Sequence, residues 1–497
     1  MKKRIFIIAS AWMLSTGSII AQTRNPGLDI MRTNIWRFGW VNFSTGVNPP
    51  GLDFSSGTPV VFNCGDKPVG QGATTISDSA GNMLLSGGYG GNCYECPRMF
   101  DRTCDTMANS GVVGDIGFIG SSRLNIAIPQ PKSPNLIYYF SSAMTFNYLI
   151  VDMNLNGGLG AVIFRDTLEQ GPTGVKLAAV HHCNGSDIWV VGHLWNTDTF
   201  FAYLLTDTGI TLPPVYTKIG PVDFQPGKFQ LGRMKFSSDG NKMAIVFNGD
   251  SIPPYLFDFD KSSGIISNPI VLQKDAGDEG IAFSPDNTKL YICTTQGKLL
   301  QYDMKASDSI SIVQSRKLIA HVFQDLSAMQ LGRDGKIYLS SGSQPYSYYL
   351  EVINNPNASD TLCGFQTGVI YLNGSTGLVH SLMNTVDSYF YSGSSAYPCY
   401  GDTNTIDIAK INETDLGIKV YPNPFSHYAT IDIPNVLFTR GKIEYRLLDI
   451  TGRECETQIK QQNYGVAQLY RGQLKPGIYL LVINLYGKTQ TFKISIF

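Results

Sequence analysis

The sequence predicts an all-β protein, a seven-bladed ring of sheets followed by a small Ig-like β-sandwich. Three observations carry this. Gly, Tyr and Phe number 51, 26 and 26 in 497 residues while long helix-forming runs are scarce, which favours strands joined by tight turns. A pattern of apolar strand, polar turn and apolar strand recurs at near-constant spacing through the middle of the chain. From residue 418 to the C-terminus the spacing changes to that of a separate small domain.

The N-terminus reads MKKRIFIIASAWMLSTGSIIAQ, with Lys2, Lys3 and Arg4 ahead of an apolar run from Ile5 to Leu14 and small residues near Ala21. This is the layout of a secretory signal peptide over residues 1–21, cut between Ala21 and Gln22, and it implies passage through the Sec translocon. The run is shorter than the ~20 residues that span a bilayer, so a membrane anchor is the weaker reading. No Cys follows it, which disfavours a lipid anchor. With 15% charged residues and a formal net charge of -1, the chain carries no electrostatic bias toward nucleic acid or anionic membranes.

Nine cysteines in an exported protein favour disulfides, and the odd count leaves at least one thiol free. Cys64, Cys93, Cys96 and Cys104 lie close enough in sequence for two bridges, and Cys363 and Cys399 form a plausible third pair. A zinc site on the first four is disfavoured, because only Cys93 and Cys96 have the close spacing of a zinc ribbon. A redox role for that pair would need a βαβ context, which the sequence lacks. Cys293, in the apolar run KLYICTT, reads as a buried thiol.

The repeat is clearest in MKFSSDGNKMAIVF, IAFSPDNTKLYICT and MQLGRDGKIYLSSG. Asp with Gly or Asn supplies the turn, and alternation on either side supplies a buried face. The last apolar residues before the turns are Phe236, Phe283 and Leu331, and looser copies place Ile76, Ile128, Val180 and Leu382 in the same role. Successive spacings are 52, 52, 56, 47, 48 and 51 residues. Seven hairpins of this period predict a seven-bladed β-propeller over 22–393, with about four strands per blade. Because little chain follows the seventh hairpin, the N-terminal strands at 35–63 are expected to complete its blade and close the ring with hairpin 377–393.

These hairpins resemble blades of YVTN-type and WD-repeat-like β-propellers. The segments WRFG, GLDFSSGTPV, TISDSAGNMLL, VDMNLNGGLG, AAVHHCNGSDIWVV and IAFSPDNTKLY also resemble a group of Bacteroidetes exported proteins, some of them tied to gliding-type C-termini. That resemblance covers most of the mature chain and names no activity. The insert WVNFSTGVNPP after Gly39 departs from it and suggests an added surface loop.

Residues 394–417 are polar and aperiodic, as in a linker. Beyond them come the short strands KVYPNP, ATIDIP, IEYRLLDI, VAQLY, GIYLLVINL and TQTFKISIF, spaced for a small sandwich. The order VYPNPFSHYATIDI, LLDITGRE and LKPGIYLLVINLYGKTQTFKISIF at the chain end resembles the type A C-terminal sorting domain of proteins exported by type IX secretion. The residues carrying the resemblance are Pro422, Asn423, Pro424, Gly452, Pro476, Gly477 and Lys493, within 418–497. It implies recognition by the outer-membrane secretion machinery, removal by a sortase-like peptidase, and a secreted or cell-surface location.

Catalytic signals are thin. HHCNGSDIWVVGH brings His181, His182, Asp187 and His193 near one another, but His182 and Asp187 flank an Asn-Gly turn, so a bond that fixes the hairpin is the simpler reading. Neighbouring His181 and His182 point to opposite faces of a strand and do not readily share a metal. Asp152, Asn154 and Asn156 before Gly157 open like a calcium loop, yet Ile163 stands where the bidentate Glu belongs, leaving calcium as the minority reading to a hairpin turn. No nucleophile elbow, P-loop or zinc-protease helix occurs, and no cofactor is expected. Asp278 and Glu279 stand at the start of a blade strand, while Tyr346, Tyr348 and Tyr349 offer rings for sugar stacking or for packing between blades. The sequence therefore points to a binding or adhesion module for a surface glycan or protein. A polymer-directed hydrolase or lyase, and a structural part of the gliding or surface machinery, are its alternatives.

Overall fold

The computed structural model describes residues 26–38, 50–64, 72–89, 97–111, 124–142, 145–169, 171–222, 232–247, 252–341, 348–372, 382–392, 418–433, 443–449, 453–456, 458–463, 466–485 and 488–496. The expected signal peptide and linker, Cys93, Cys96, Cys399, Gly452, Tyr346 and most of the insert after Gly39 lie outside them. The chain divides into two compact units, 1–403 and 404–497.

Among the described residues of the first unit, antiparallel strands assemble into seven sheets in chain order. Sheet one holds Ile35–Arg37, Pro50–Asp53 and Val60–Asn63, and sheet two holds Thr74–Ser77, Met83–Tyr89 and Pro97–Asp101. Sheets three to seven begin with Leu124–Gln130, Thr173–His181, Met234–Phe236, Asp278–Phe283 and Leu326–Leu331. The first strands lie beside one another in sequence order.

Burial follows strand position. The first strand Thr173–His181 of sheet four is buried throughout, whereas its edge strand Val215–Lys218 is partly exposed. Leu326–Leu331 and Phe365–Tyr371 repeat the contrast in sheet seven. A first strand is covered on both faces, so it is apolar with small or hydrogen-bonded polar residues, while the last strand faces water. Adjacent sheets share their cores: Val180 and Trp189 of sheet four pack with Phe236 and Phe259 of sheet five, and Trp36 and Phe54 of sheet one pack with Tyr338 of sheet seven. Between sheets one and two, the buried Arg37 guanidinium donates to Ser86 Oγ at 2.8 Å and the Cys64 carbonyl at 3.2 Å. Burial lowers its pKa to about 10.

Six of the hairpins form where the repeat places them. Ile76, Ile128, Val180, Phe236, Phe283 and Leu331 each sit in a first strand paired antiparallel with the second. In two of the turns Gly240 and Gly335 adopt φ of 73° and 78°, a region that a Cβ disfavours.

Among the described residues the seventh does not form. Around Leu382 the chain makes no hairpin among the described residues; Val386 forms a single parallel bridge to Ala179, and Asp387–Phe390 is a 3-10 turn. Nor do the N-terminal strands complete the last sheet, which already has four strands of its own; they stand as a separate three-stranded sheet. Strand number also departs from four elsewhere, with three in sheet two and five in sheet four. Leu382–Phe390 is instead a buried run against the first strands. Asn384 donates to the Ala73 and Leu177 carbonyls, at 3.4 and 3.0 Å, and its own carbonyl accepts from Thr74 Oγ1 at 2.8 Å.

Among its described residues the second unit has two sheets. Lys419–Tyr421, Tyr428–Asp432, Val466–Tyr470 and Gln458–Asn463 make one, and Ile443–Asp449, Gly477–Leu485 and Lys488–Ile496 the other. Ala429, Ile431 and Leu469 from the first share a core with Leu447, Leu481 and Ile494 from the second. Alternation explains it: in Gly477–Leu485 the buried Tyr479, Leu481 and Ile483 come at every second position.

Candidate functional site

In the tail unit the structure joins the first sorting motif to the last strand. Asn423 Nδ2 donates to the Lys493 carbonyl at 2.6 Å, and Asn423 Oδ1 accepts from Ser495 N at 2.8 Å. Phe425 N then donates to the Ser495 carbonyl at 3.0 Å. The Pro422 and Pro424 positions leave no backbone N–H in need of a partner, so the Asn423 amide serves as the hydrogen-bonding group of this edge. Gly477 opens a nine-residue tail strand after Pro476, and Tyr479 Oη donates to the Lys475 carbonyl at 2.8 Å just before it.

In the first unit, a cavity of about 460 Å³ opens where the first strands of sheets two to four end. Its polar lining includes Asp29, Arg32, Gln130, Lys132 and His181, with Tyr389 and the prolines around Pro131 as apolar wall. His181 closes its strand with the ring inward, where Nδ1 lies 2.8 Å from Ser388 Oγ and the backbone N–H donates to the same oxygen at 2.9 Å. His181 Nε2 lies 3.9 Å from Asp29 Oδ2, and Asp29 Oδ1 lies 3.9 Å from Arg32 Nε. Lys132 is paired with Asp207 at 2.6 Å, and that hydrogen bond with its charge attraction raises the Lys132 pKa.

At a separate, smaller cavity lined by Lys235, Gln330 and Asp387, Lys235 Nζ donates to Gln330 Oε1 at 2.9 Å, Asp387 Oδ1 at 3.1 Å and Asn384 Oδ1 at 3.2 Å. Asp387 Oδ2 accepts from Phe236 N at 2.8 Å. Burial raises the Asp387 pKa and the Lys235 charge opposes that rise. Two sheets, five and seven, and the run Leu382–Phe390 thus meet at one ion pair.

The residues singled out in the sequence fall as follows. His182 and Asp187 bracket their turn through a backbone bond at 2.7 Å, and Asn184 links their side chains, donating to Asp187 Oδ2 while its backbone N–H donates to His182 Nδ1. His193 is buried on the next strand, where burial and nearby Lys176 lower its pKa to about 3. Asp152 Oδ1 accepts from Asn154 N, Asn135 donates to Asn154 Oδ1, and Asn156 enters a 3-10 turn, so these three groups shape a surface turn. Asp278 and Glu279 are fully buried, and burial raises the Asp278 pKa to about 6. Tyr349 packs its ring 5.2 Å from Tyr371 on the outer strands of sheet seven.

Cys64 and Cys104 form a disulfide between the ends of sheets one and two. The pairing of Cys363 with Cys399 is overturned: Cys363 is a buried free thiol. Cys183 is also disulfide-bonded. Cys293 is a buried thiol donating to the Ser327 carbonyl at 2.9 Å, and burial raises its pKa. Asp29, Ser388 and Lys235 carried no local signal that could have marked them, because their partners lie far away in sequence.

Residues 419–496 match the secretion system C-terminal sorting domain family. This domain directs the protein to type IX secretion, implies contact with that machinery, and implies a cell-surface or extracellular destination. No curated protein matches the chain. Among solved structures, a candidate 6-phosphogluconolactonase from Bacteroides fragilis is 13% identical, covering 71% of this chain and 95% of its own, with a TM-score of 0.42. Sqt1 from Chaetomium thermophilum is 14% identical over 72% of this chain and 86% of its own, at 0.38. Hydrazine synthase from Kuenenia stuttgartiensis is 12% identical over 63% and 83%, at 0.36. Similarity this remote transfers no chemistry to this chain.

Proposed function

We propose that the first unit is a closed seven-bladed propeller acting as a binding or adhesion module once type IX secretion has delivered it. Supporting closure, Trp36 and Phe54 of sheet one pack on Tyr338 of sheet seven, with ring centroids 5.5 and 5.7 Å apart. In this arrangement the buried run Leu382–Phe390 lies along the axis and the 460 Å³ cavity is the channel mouth. The tail is an Ig-like sandwich, cut off by a sortase-like peptidase after export.

The observation that carries the binding reading is that cavity. Its polar groups converge from the N-terminal lead and from the strand ends of sheets three and four, and its volume falls in the range of small-molecule sites, about 300–1,000 Å³. The test is to profile the purified full chain against glycans and peptides, for both binding and turnover, with and without divalent metal. Binding without turnover, weakened by Asp29→Asn, is the expected result; no binding to any member of the panel would overturn it.

A second reading, a hydrolase or lyase acting on an extracellular polymer, has one observation in its favour: Asp29, His181 and Ser388 stand in a row. Ser388 is fully buried, so its oxygen is out of reach as a nucleophile, and His181 would be the group that moves a proton. Turnover of a polymer, abolished by His181→Gln in a folded protein, would establish it over the binding reading.

A further inference from the structure

We infer that Cys183 is bonded to Cys399, and that the bond fastens the chain beyond Leu382–Phe390 to sheet four, at the end of the body where the first strands finish.

Elimination leaves three partners for Cys183. The sequence has nine cysteines. Cys64 and Cys104 bond to each other, Cys293, Cys363 and Cys455 are free thiols, and Cys183 is disulfide-bonded. A partner within the chain must therefore be Cys93, Cys96 or Cys399, which lie outside the described residues.

The topology separates these three. Asn384 marks a common level in sheets two and four, donating to the Leu177 carbonyl at 3.0 Å while its own carbonyl accepts from Thr74 Oγ1 at 2.8 Å. Thr74 pairs with Gly87, and farther along Tyr89 pairs with Pro97. Residues 90–96 therefore connect two strands of sheet two at the end where the first strands begin. From the Tyr89 pair through the Asn384 level to His181 is roughly 20 Å of strand, and Cys183 lies past His181. Disulfide Cα atoms stand within about 7 Å of each other, so Cys96, next to Pro97, is out of reach. Cys93 is four residues from either anchor, which allows at most about 14 Å. That is too short to run the length of sheet two and cross to sheet four, with sheet three standing between them.

The run Leu382–Phe390 leads to the correct end. Val386 bridges Ala179 in parallel, and Ser388 Oγ accepts the His181 N–H at 2.9 Å, so the chain advances alongside Thr173–His181 and arrives where that strand stops. Cys183 is held just beyond, buried, its N–H donating to the Lys261 carbonyl at 3.4 Å. The eleven residues from Ser388 to Cys399 span up to about 38 Å, ample for a partner two residues from the one Ser388 already touches. The bond forms by exchange with a disulfide-bearing oxidant outside the cytoplasm. One cysteine thiolate displaces a sulfur of the oxidant, and the other then displaces the oxidant's remaining thiolate. The two electrons leave with the oxidant as a dithiol, and the two cysteine protons are given up to solvent and to the released thiols. Once closed, the loop from Cys183 to Cys399 encloses sheets five, six and seven in sequence, and the run cannot leave the first strands without carrying Cys183 along.

The experiment is mass spectrometry of the full chain, alkylated and digested without reduction, with the Cys64–Cys104 peptide pair as the internal control. A peptide pair joining Cys183 to Cys399 and separating on reduction is expected. In Cys399→Ser, Cys183 should become alkylated, and the His181 amide, which Ser388 protects, should exchange at least tenfold faster. Cys183 joined to Cys93 or Cys96, joined to a second copy of the chain, or alkylated in the unreduced wild type would each overturn the pairing. Unchanged exchange at His181 in Cys399→Ser would overturn the fastening role.

Discussion

The two units each tie a late segment of chain to an early one, and they do so in opposite ways. In the tail, the exposed Asn423 reaches the last strand through two side-chain hydrogen bonds to Lys493 and Ser495. In the body, Leu382–Phe390 is buried and is held by an ion pair, by Asn384 and by Ser388. An exposed latch exchanges its bonds with water at little net cost, whereas a buried polar latch leaves a charged or polar group stranded when it opens. The tail latch is therefore suited to handling by another protein, and the body latch to permanence.

The largest expected effect comes from breaking the buried latch. Asp387→Ala leaves the Lys235 ammonium, surrounded by sheets, without its counter-charge, and is expected to destabilise the body by about 3–5 kcal/mol. Denaturant titration of the full chain would measure it, and a change below 1 kcal/mol would show that water satisfies Lys235 there. Next, replacing Cys64 and Cys104 by Ser removes a cross-link spanning 40 residues of sequence, with an expected loss of about 3 kcal/mol. Reduction of the wild type should cost at least as much, because it also opens the disulfide of Cys183.

Acid should loosen the body as well. Neutral His193 has its pKa lowered to about 3 in the folded chain, against 6.5 when unfolded. Between those values the unfolded chain binds the extra proton, so the stability His193 contributes is present above pH 6.5 and falls as pH drops. Between pH 7 and pH 5 this amounts to about 2 kcal/mol. Asp278, raised to about 6, acts in the opposite sense: its contribution is complete below its unfolded pKa and is lost as pH rises through about 6. His193→Gln should thus reduce the acid loss, and an unchanged pH profile would assign that loss to other groups. The smallest effect is expected for Asn423→Ala, about 1 kcal/mol in the tail, read by hydrogen exchange of Ser495. Its export defect should exceed its stability defect, and normal surface delivery would remove Asn423 from the recognised motif.

The same contrast explains how far the sequence could be read. Six hairpins are legible because Asp, Gly and Asn turns interrupt strands whose burial follows a simple alternation. The segment SLMNTVDSYFYSG alternates just as well, yet its polar residues Asn384, Asp387 and Ser388 are buried and bonded inward. Alternation distinguishes apolar from polar residues and cannot tell a polar residue facing water from one satisfied within the core. The site was half visible: the His cluster stood out, but its partners Asp29 and Ser388 arrive from opposite ends of the body. Cysteine pairing is legible for Cys64 and Cys104 but not for Cys363, which is a buried free thiol, since nearness in sequence is no guarantee of nearness in space. The tail was the most legible part, because its motifs are local and arrive in a fixed order.

The buried run Leu382–Phe390 also has a mechanical consequence. A pull on the chain at Ser392 does not peel an edge strand one bond at a time. The run is anchored together in sheets two, four and five by Thr74, His181 and Lys235, so the load is shared in shear among them. A protein tethered through its C-terminal side would hold its shape under drag, yielding only when the whole set of anchors gives way at once.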